Sequence, residues 1–535
     1  MSRHPETLSL RLLTIQILSQ ALIFAVQKAG GLVERALLGT DTVATATLGI
    51  SWIAFCVFHA FTANIINVCP LVVGRCRGDL DDDGARAAAG QALLLAGGCG
   101  VVGLALAGTA GIAAAFAVGS ARSAFLFFAT QALALGPLLG TTALTGYFAG
   151  SMRLGLRLVI AASVVPITVH LALAWLLIGL LPCSVAGAGL ARLGAALAAL
   201  AATFVVTRDE LGCLVARFRR PNRALLKAML TEGTMLGLQQ VVAGFIVLLL
   251  YLTAIRAGDI ISAALTLTHS GVYPLLFSVA WGSSQVIGAA AAQAISQGDN
   301  RELARVIRRC LGLSAVLAFL LPWGGFAICG RQALTWLIGG SPSGDAILIS
   351  SLRLMGLLAV FFVFDFAINF LSALLRAARE QAYLLRTAVV IAGSFGVLLM
   401  VLPTCAEDIC LIGAFIISQA IWAALLLLRV ARRWPAWSHT ARPSIAFPAR
   451  SYSNVSPSLS GSGNVSSSKT ELSVSCSPCR NPHHRDEIRQ DECSNEGNYA
   501  LSVFEPQGSY CQLARPILLS ASTDLALNHS ERETP

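Results

Sequence analysis

Residues 354–375 read LMGLLAVFFVFDFAINFLSALL. All but one of these residues are uncharged, and most are large and apolar; the exception is Asp365. A helix needs roughly 20 apolar residues to cross about 30 Å of hydrocarbon, so this stretch is long enough to be a membrane span. A carboxylate near its middle costs several kcal/mol unless it is paired, hydrated or turned to a cavity. The stretch therefore sets a fold class (helical and membrane-embedded) and points to a functional residue.

Working outward, eleven further apolar stretches surround it. The expected spans are 9–33, 46–73, 89–118, 122–148, 156–181, 185–207, 233–255, 263–292, 307–330, 347–375, 384–403 and 410–430. The whole chain agrees: it is 535 residues, 56% hydrophobic, 12% charged, with mean hydropathy +0.71. Twelve spans place both termini on one side. With the N-terminus in the cytoplasm, eighteen Lys/Arg fall in the inner loops, among them Arg75, Arg77, Arg217, Arg301 and Arg376. Six fall on the outer side: Arg35, Arg122, Arg192, Arg256, Arg331 and Arg353. That bias is the positive-inside rule, and it puts both termini in the cytoplasm of a cell bounded by this membrane. The first stretch has no convincing cleavage site and eleven spans follow it, so it reads as a helix and not as a secretory leader. Arginines beside anionic lipid account for the net charge of +10, and no nucleic-acid partner is called for. Arginine outnumbers lysine thirty-five to three, which together with abundant alanine matches a GC-rich bacterial genome and a bacterial inner membrane.

The chain repeats itself. Gly78-Asp79-Leu80 with Gly84-Ala85-Arg86 parallels Gly298-Asp299-Asn300 with Leu303-Ala304-Arg305, and Gly39-Thr40-Asp41 parallels Ala257-Gly258-Asp259, at a separation of 219 or 220 residues. Two units of six spans enter from the same side, which makes a parallel repeat. The fold class expected is all-α, with two pseudo-symmetric six-helix bundles around a central cleft. The domains are then an N-terminal bundle (1–207), an amphipathic basic linker (208–231) and a C-terminal bundle (232–435). A polar tail (436–535), rich in Ser and Asn, completes the chain and reads as disordered.

Ionisable groups inside the spans are few. Glu34 closes the first stretch, His170 sits in the fifth and Asp365 in the tenth. Glu34 reads either as a helix-end carboxylate among headgroups or as an ion site, and His170 either as a proton-exchanging group or as a neutral donor to a carbonyl. Asn64, Asn67, Gln239, Gln240 and Asn369 are neutral polar groups that must face partners or water. Tyr147, Tyr273 and Phe364 could offer ring faces to a cationic, lipophilic compound or simply pack. Pro166 frees a backbone carbonyl in the fifth span, and Gly97, Gly98, Gly100 and Gly103 permit close helix contact in the third. Cys405 and Cys410 flank an outer loop and could pair. Cys476, Cys479, His483 and Cys493 have the chemistry of a zinc site but no apolar pattern to fold around one. The chain has no Gly-x-x-x-x-Gly-Lys-Ser/Thr loop to bind a nucleotide.

Over residues 10–430 the chain resembles the multidrug and toxic compound extrusion (MATE) transporters, within a larger superfamily of multidrug, oligosaccharidyl-lipid and polysaccharide exporters. The likeness lies in Leu32-Val33-Glu34 through Gly39 with Val43-Ala44-Thr45-Ala46. It continues in Arg77-Gly78-Asp79 and Gln297-Gly298-Asp299, in Ser184-Val185-Ala186-Gly187-Ala188-Gly189, and in Asp365 followed by Leu375-Arg376-Ala377-Ala378-Arg379. Three departures stand out. Glu34 replaces the family's Asp, neutral Gln239 and Gln240 occupy the seventh span, and the fifth span has His170 where many proton-coupled members carry Asp. The resemblance implies an antiporter and not an enzyme, without cofactor, working as a monomer among membrane lipids. It would expel small hydrophobic, cationic compounds in exchange for H⁺ or Na⁺ held at Glu34, Asp365 and His170. The rival readings are a lipid-linked precursor flippase, which would want an arginine cluster inside the cleft, and a non-transporting scaffold or receptor.

Overall fold

The computed structural model describes residues 9–38, 42–181, 183–218, 221–338, 344–401 and 408–439. Cys405, the side chain of Cys410, and the tail beyond residue 439 with its four candidate zinc ligands lie outside the described residues. Twelve helical spans follow in order. They are α1 (Leu10–Leu38), α2 (Thr42–Ile66, continued as Cys69–Gly78), α3 (Asp82–Phe116), α4 (Ser120–Gly150), α5 (Leu156–Leu180) and α6 (Ser184–Phe218). The second half holds α7 (Arg223–Ala257), α8 (Ile260–Leu276 bent by 46° onto Ser278–Gln297), α9 (Arg301–Ile338), α10 (Gly344–Ala377), α11 (Gln381–Val401) and α12 (Asp408–His439). Eleven are long and apolar enough to cross a membrane unaided, and the bent α8 pair makes the twelfth. They form two pseudo-symmetric six-helix bundles.

Lipid and core divide each helix by chemistry. Val101, Leu104, Ile112 and Phe116 of α3, and Leu320, Ile328 and Trp336 of α9, are exposed on the outside of the bundle. In water such a belt would be intolerable; in hydrocarbon it costs nothing. The inner faces are built of small residues. In α8, Ala289, Ala290, Ala291 and Ala292 are all buried, and α1 packs along this segment.

Helix starts are set by short acidic side chains. Asp81 Oδ1 accepts from the Gly84 amide at 2.7 Å to open α3, and Asp299 Oδ1 accepts from the Glu302 amide at 2.9 Å to open α9. Before each cap the chain turns through the left-handed region, at Leu80 (φ 58) and Gly298 (φ 68). The structural equivalents are thus Leu80-Asp81 and Gly298-Asp299. Matching Gly-Asp pairs by sequence picks Asp79 instead, two residues early. Asp79 accepts from the Ser296 hydroxyl and ties the two halves together. Asp81→Ala and Asp299→Ala should each cost about 1 kcal/mol of stability. Asp79→Ala should leave α3 capped. Thermal unfolding of the three purified variants checks this.

One sequence expectation needs revision. Gly100 and Gly103 do sit against Gly136 and Ala132 of α4, but Gly97 and Gly98 have open space where a side chain would go. Residues 208–218 continue α6 and residues 223–231 open α7. Ahead of Pro166, residues Ile160–Val164 form one π-helical turn, so the widened hydrogen-bond pattern takes up the missing amide without ending the helix.

The two bundles meet most closely at the arginine-rich end. A Cβ on Gly74 of α2 would come within 2.6 Å of the Ala289 carbonyl of α8, and one on Gly78 within 2.5 Å of the Gln293 carbonyl. Only glycine fits there.

Candidate functional site

Between the bundles lies a cavity of about 480 Å³. Asp365 of α10 borders it and is held by neutral donors alone. The Tyr273 hydroxyl donates to Asp365 Oδ2 at 2.7 Å, and Asn369 Nδ2 donates to Oδ1 at 2.9 Å. The i, i+4 spacing puts Asn369 one turn on, on the same face. Tyr273 is itself fixed by stacking on His269 (5.8 Å, 4° between planes) and by Phe361 at 5.3 Å. His269 sits in a π-helical stretch, Thr266–Val272, which rotates it toward Tyr251, whose hydroxyl lies 3.4 Å from Nδ1. No Lys or Arg among the described residues lies within ion-pair distance of Asp365, so its charge, when present, is uncompensated by protein.

The other embedded carboxylate is in the opposite condition. Glu34 of α1 is completely buried and clasped by Arg192 of α6. Arg192 Nε donates to Oε1 at 2.7 Å, and Nη2 donates to Oε2. The guanidinium also lies over two rings, 4.0 Å from the Trp52 ring centre and 5.4 Å from that of Phe127. His170 Nε2 of α5 stands 3.3 Å from Glu34 Oε1, without hydrogen-bond geometry. A side chain at Gly30 would meet the His170 ring at 2.9 Å, so glycine there is what lets the ring approach α1.

Glu34, His170 and Arg192 border a second cavity of about 170 Å³ inside the N-terminal bundle or lie just beneath it. Arg35 and Lys28 line it as well. Arg35 and Arg192 were assigned to outer loops by the charge count; both belong to helices and point inward, because each lies within a turn or two of a helix end and reaches the cavity with its long side chain. Lys28, Arg35 and Arg192 thus form a cationic group on this cavity. Lys28 borders both cavities. It is the only lysine in the first apolar stretch, a signal legible in the sequence and not taken up there.

Of the other expected cavity residues, Asn64, Asn67, Gln239, Gln240, Asn369 and Tyr273 all face the central space. Tyr147 and Phe364 border neither cavity. Tyr147 is 1% exposed and packs edge-on against Phe148, and Phe364 packs against the core of the C-terminal bundle. Phe361, one turn before Phe364 on α10, and Phe415 of α12 face the space instead. The spacing of aromatics alone cannot say which side of α10 turns inward. Among the described residues no cluster of three His, Cys, Asp or Glu is placed to hold a metal.

A third cluster closes the arginine-rich end. Arg75 of α2 is 8% exposed and grips Glu232 of α7 at 3.0 Å through both carboxylate oxygens. Its other nitrogen donates to the Arg376 carbonyl at 3.2 Å, and Gln381 Nε2 donates to Glu232 at 3.0 Å. The cluster thus ties α2 of the first half to α7, α10 and α11 of the second. Glu232→Gln leaves Arg75 buried with half its partner. We expect the population to shift toward states open at this end, read as greater reactivity of a cysteine placed at Ser296 toward a polar thiol reagent.

No family model and no curated protein matches the chain. Solved structures do. A MATE transporter in the straight conformation aligns with TM-score 0.68 at 16% identity, covering 82% of this chain and all of that one. An outward-facing multidrug resistance MATE family transporter of the MOP superfamily aligns at 0.67 and 17%, with the same coverage. So does a MOP superfamily transporter from Pyrococcus furiosus Vc1 (DSM3638), at 0.67 and 16%, for which reverse polarity of the binding pocket is said to suggest a different function. This chain has their fold.

Proposed function

We propose that the chain is a secondary exporter that works by alternating access of the cleft between its two bundles, driven by H⁺ or Na⁺ exchanged at Asp365. The observation that carries the reading is the setting of that carboxylate. It lies in a span, faces a cavity, and has two neutral donors with no cation to balance it. Leaving such a charge bare is costly, so the site favours a bound proton or sodium ion, and its occupancy is sensitive to which side of the membrane supplies it. Asn64, Asn67, Gln239 and Gln240 would hydrate or hold cargo in the same space. Likeness of fold to MATE transporters supports the architecture of alternating access.

Glu34, expected as a second ion site, we assign to holding the N-terminal bundle together with Arg192. Its two oxygens are already occupied by a guanidinium. His170 would sense that pair without exchanging the coupling ion.

The small interbundle contacts at the arginine-rich end suit a gate. The positive-inside count places that end in the cytoplasm, so the conformation described is sealed toward the cytoplasm. The glycines of the seal give a direct check: Gly74→Val should obstruct its closure and lower efflux severalfold in reconstituted vesicles, with ligand binding in detergent retained. The reading as a whole is tested by loading vesicles with a fluorescent amphiphile and imposing a pH or Na⁺ gradient. Gradient-dependent movement that vanishes with Asp365→Asn supports it; movement indifferent to both gradients would refute it.

A further inference from the structure

We infer that the cavity of the N-terminal bundle binds the anionic group of an amphiphilic substrate, and that Lys28 is the residue that recognises it. This rests on the export reading only in taking the cavity as a cargo site.

Lys28 lies well within a membrane span, and no carboxylate among the described residues approaches it to ion-pair distance. Two aromatic rings stand near it, with Nζ 5.2 Å from the Phe24 ring centre and 5.9 Å from that of Trp52. Cation–π contact returns only part of what it costs to take an ammonium out of water. The ring faces do not close that gap. Glu34 cannot close it either, because Arg192 holds both of its oxygens. Arg35 lines the same cavity and likewise has no carboxylate in reach. Lys28, Arg35 and Arg192 against Glu34 leave an excess of two positive charges around a space of about 170 Å³. A cationic compound would be repelled there; a carboxylate, sulfonate or phosphate would supply the missing partner.

Lys28 also faces the larger cavity, so one molecule could place its anionic group on Lys28 and its apolar body against Phe277, Trp281 and Phe361. An ammonium at the junction of two cavities selects by sign of charge and tolerates variety in the body, because a flexible point charge imposes little geometry. This departs from the cationic cargo that the sequence resemblance implies.

The experiment compares carboxyfluorescein with rhodamine 123, which share a xanthene ring system and differ in charge. Binding to the full-length protein in phosphatidylcholine nanodiscs is followed by fluorescence anisotropy without any gradient. The anion should bind at least about tenfold tighter than the cation, since a charged hydrogen bond contributes about 1.5–3 kcal/mol. Lys28→Gln should remove about tenfold of the anion's affinity, and Lys28→Arg should retain it. Tighter binding of the cation, or an unchanged ratio in a folded Lys28→Gln protein, overturns the inference. Should Lys28→Gln fail to fold, competition on the wild type decides. Benzoate displacing carboxyfluorescein better than benzylamine supports the anion site, and the reverse order overturns it. Repeating the titration with phosphatidylglycerol in the discs separates the sources. Displacement assigns the anion site to a lipid headgroup, and its absence assigns the site to a soluble compound. The titrations use no gradient and read binding alone, so a failure of the coupling scheme is distinguishable from a failure of this site.

Discussion

Asp365→Asn is expected to abolish gradient-driven efflux while the protein still folds. Asparagine keeps the shape of the side chain: its oxygen can accept from Asn369 and its amide can donate to the Tyr273 hydroxyl, the two groups that hold the native carboxylate at 2.9 and 2.7 Å. What it loses is the ability to take up and release a cation. A carboxylate in this position must be neutralised to remain buried comfortably, and an amide is neutral permanently. Transport should fall to the leak of empty vesicles under either a pH or a Na⁺ gradient, with an unfolding midpoint equal to or above that of the wild type. Rising stability alongside lost transport is the signature of removing an uncompensated buried charge. Tyr273→Phe should give an intermediate result, since one donor is lost and Asn369 remains. Efflux at half the wild-type rate or more in Asp365→Asn would show that the coupling ion binds elsewhere.

Arg192→Met is expected to have the largest effect on stability. Glu34 has no exposed surface, and its oxygens depend on the guanidinium of Arg192. Removing one partner of a buried pair leaves the other charged and unpaired, at a cost of about 3–5 kcal/mol. Methionine fills the space between Trp52 and Phe127, so lost packing contributes little. The double variant Glu34→Gln/Arg192→Met should recover most of the loss, because exchanging both ions for neutral groups is often close to neutral. Unfolding midpoints of the two single variants and the double variant form a thermodynamic cycle. A coupling energy near zero would mean that Glu34 and Arg192 act independently, and Glu34 would again be available as an ion site. Glu34→Gln alone should be less damaging than Arg192→Met, since a neutral amide can still accept from Arg192.

These two experiments separate two carboxylates that look alike in the primary structure. Each ends or interrupts an apolar stretch, and each has aromatic or aliphatic neighbours. Nothing local shows that one is paired and the other is not. The partner of Glu34 is 158 residues away and the aromatic donor to Asp365 is 92 residues away. Local patterns have no access to contacts at such separations. The same limit explains Arg75, counted only as an inner-loop charge, and its partner Glu232, 157 residues away. The register of the repeat was missed by two residues for a different reason. Gly-Asp is a motif of letters, but the cap is a matter of which aspartate precedes the first helical amide, and in the first half Leu80 occupies the left-handed position.

What the chain determined by itself is the architecture. Burying about 20 apolar residues at a time in hydrocarbon is a strong and local demand, so span number, helix order and the two-fold repeat could be read without coordinates. The neutral polar residues that face the cleft were legible for the same reason, since amides inside spans need a cavity or a partner. What only tertiary structure decided is the charge state of the interior. Lys28, Arg35 and Arg192 converge on one small cavity while a single carboxylate answers them, and Asp365 is left to neutral donors. Coulomb interactions depend on distance through space, and that distance follows from how six helices pack, not from where a residue falls in the chain.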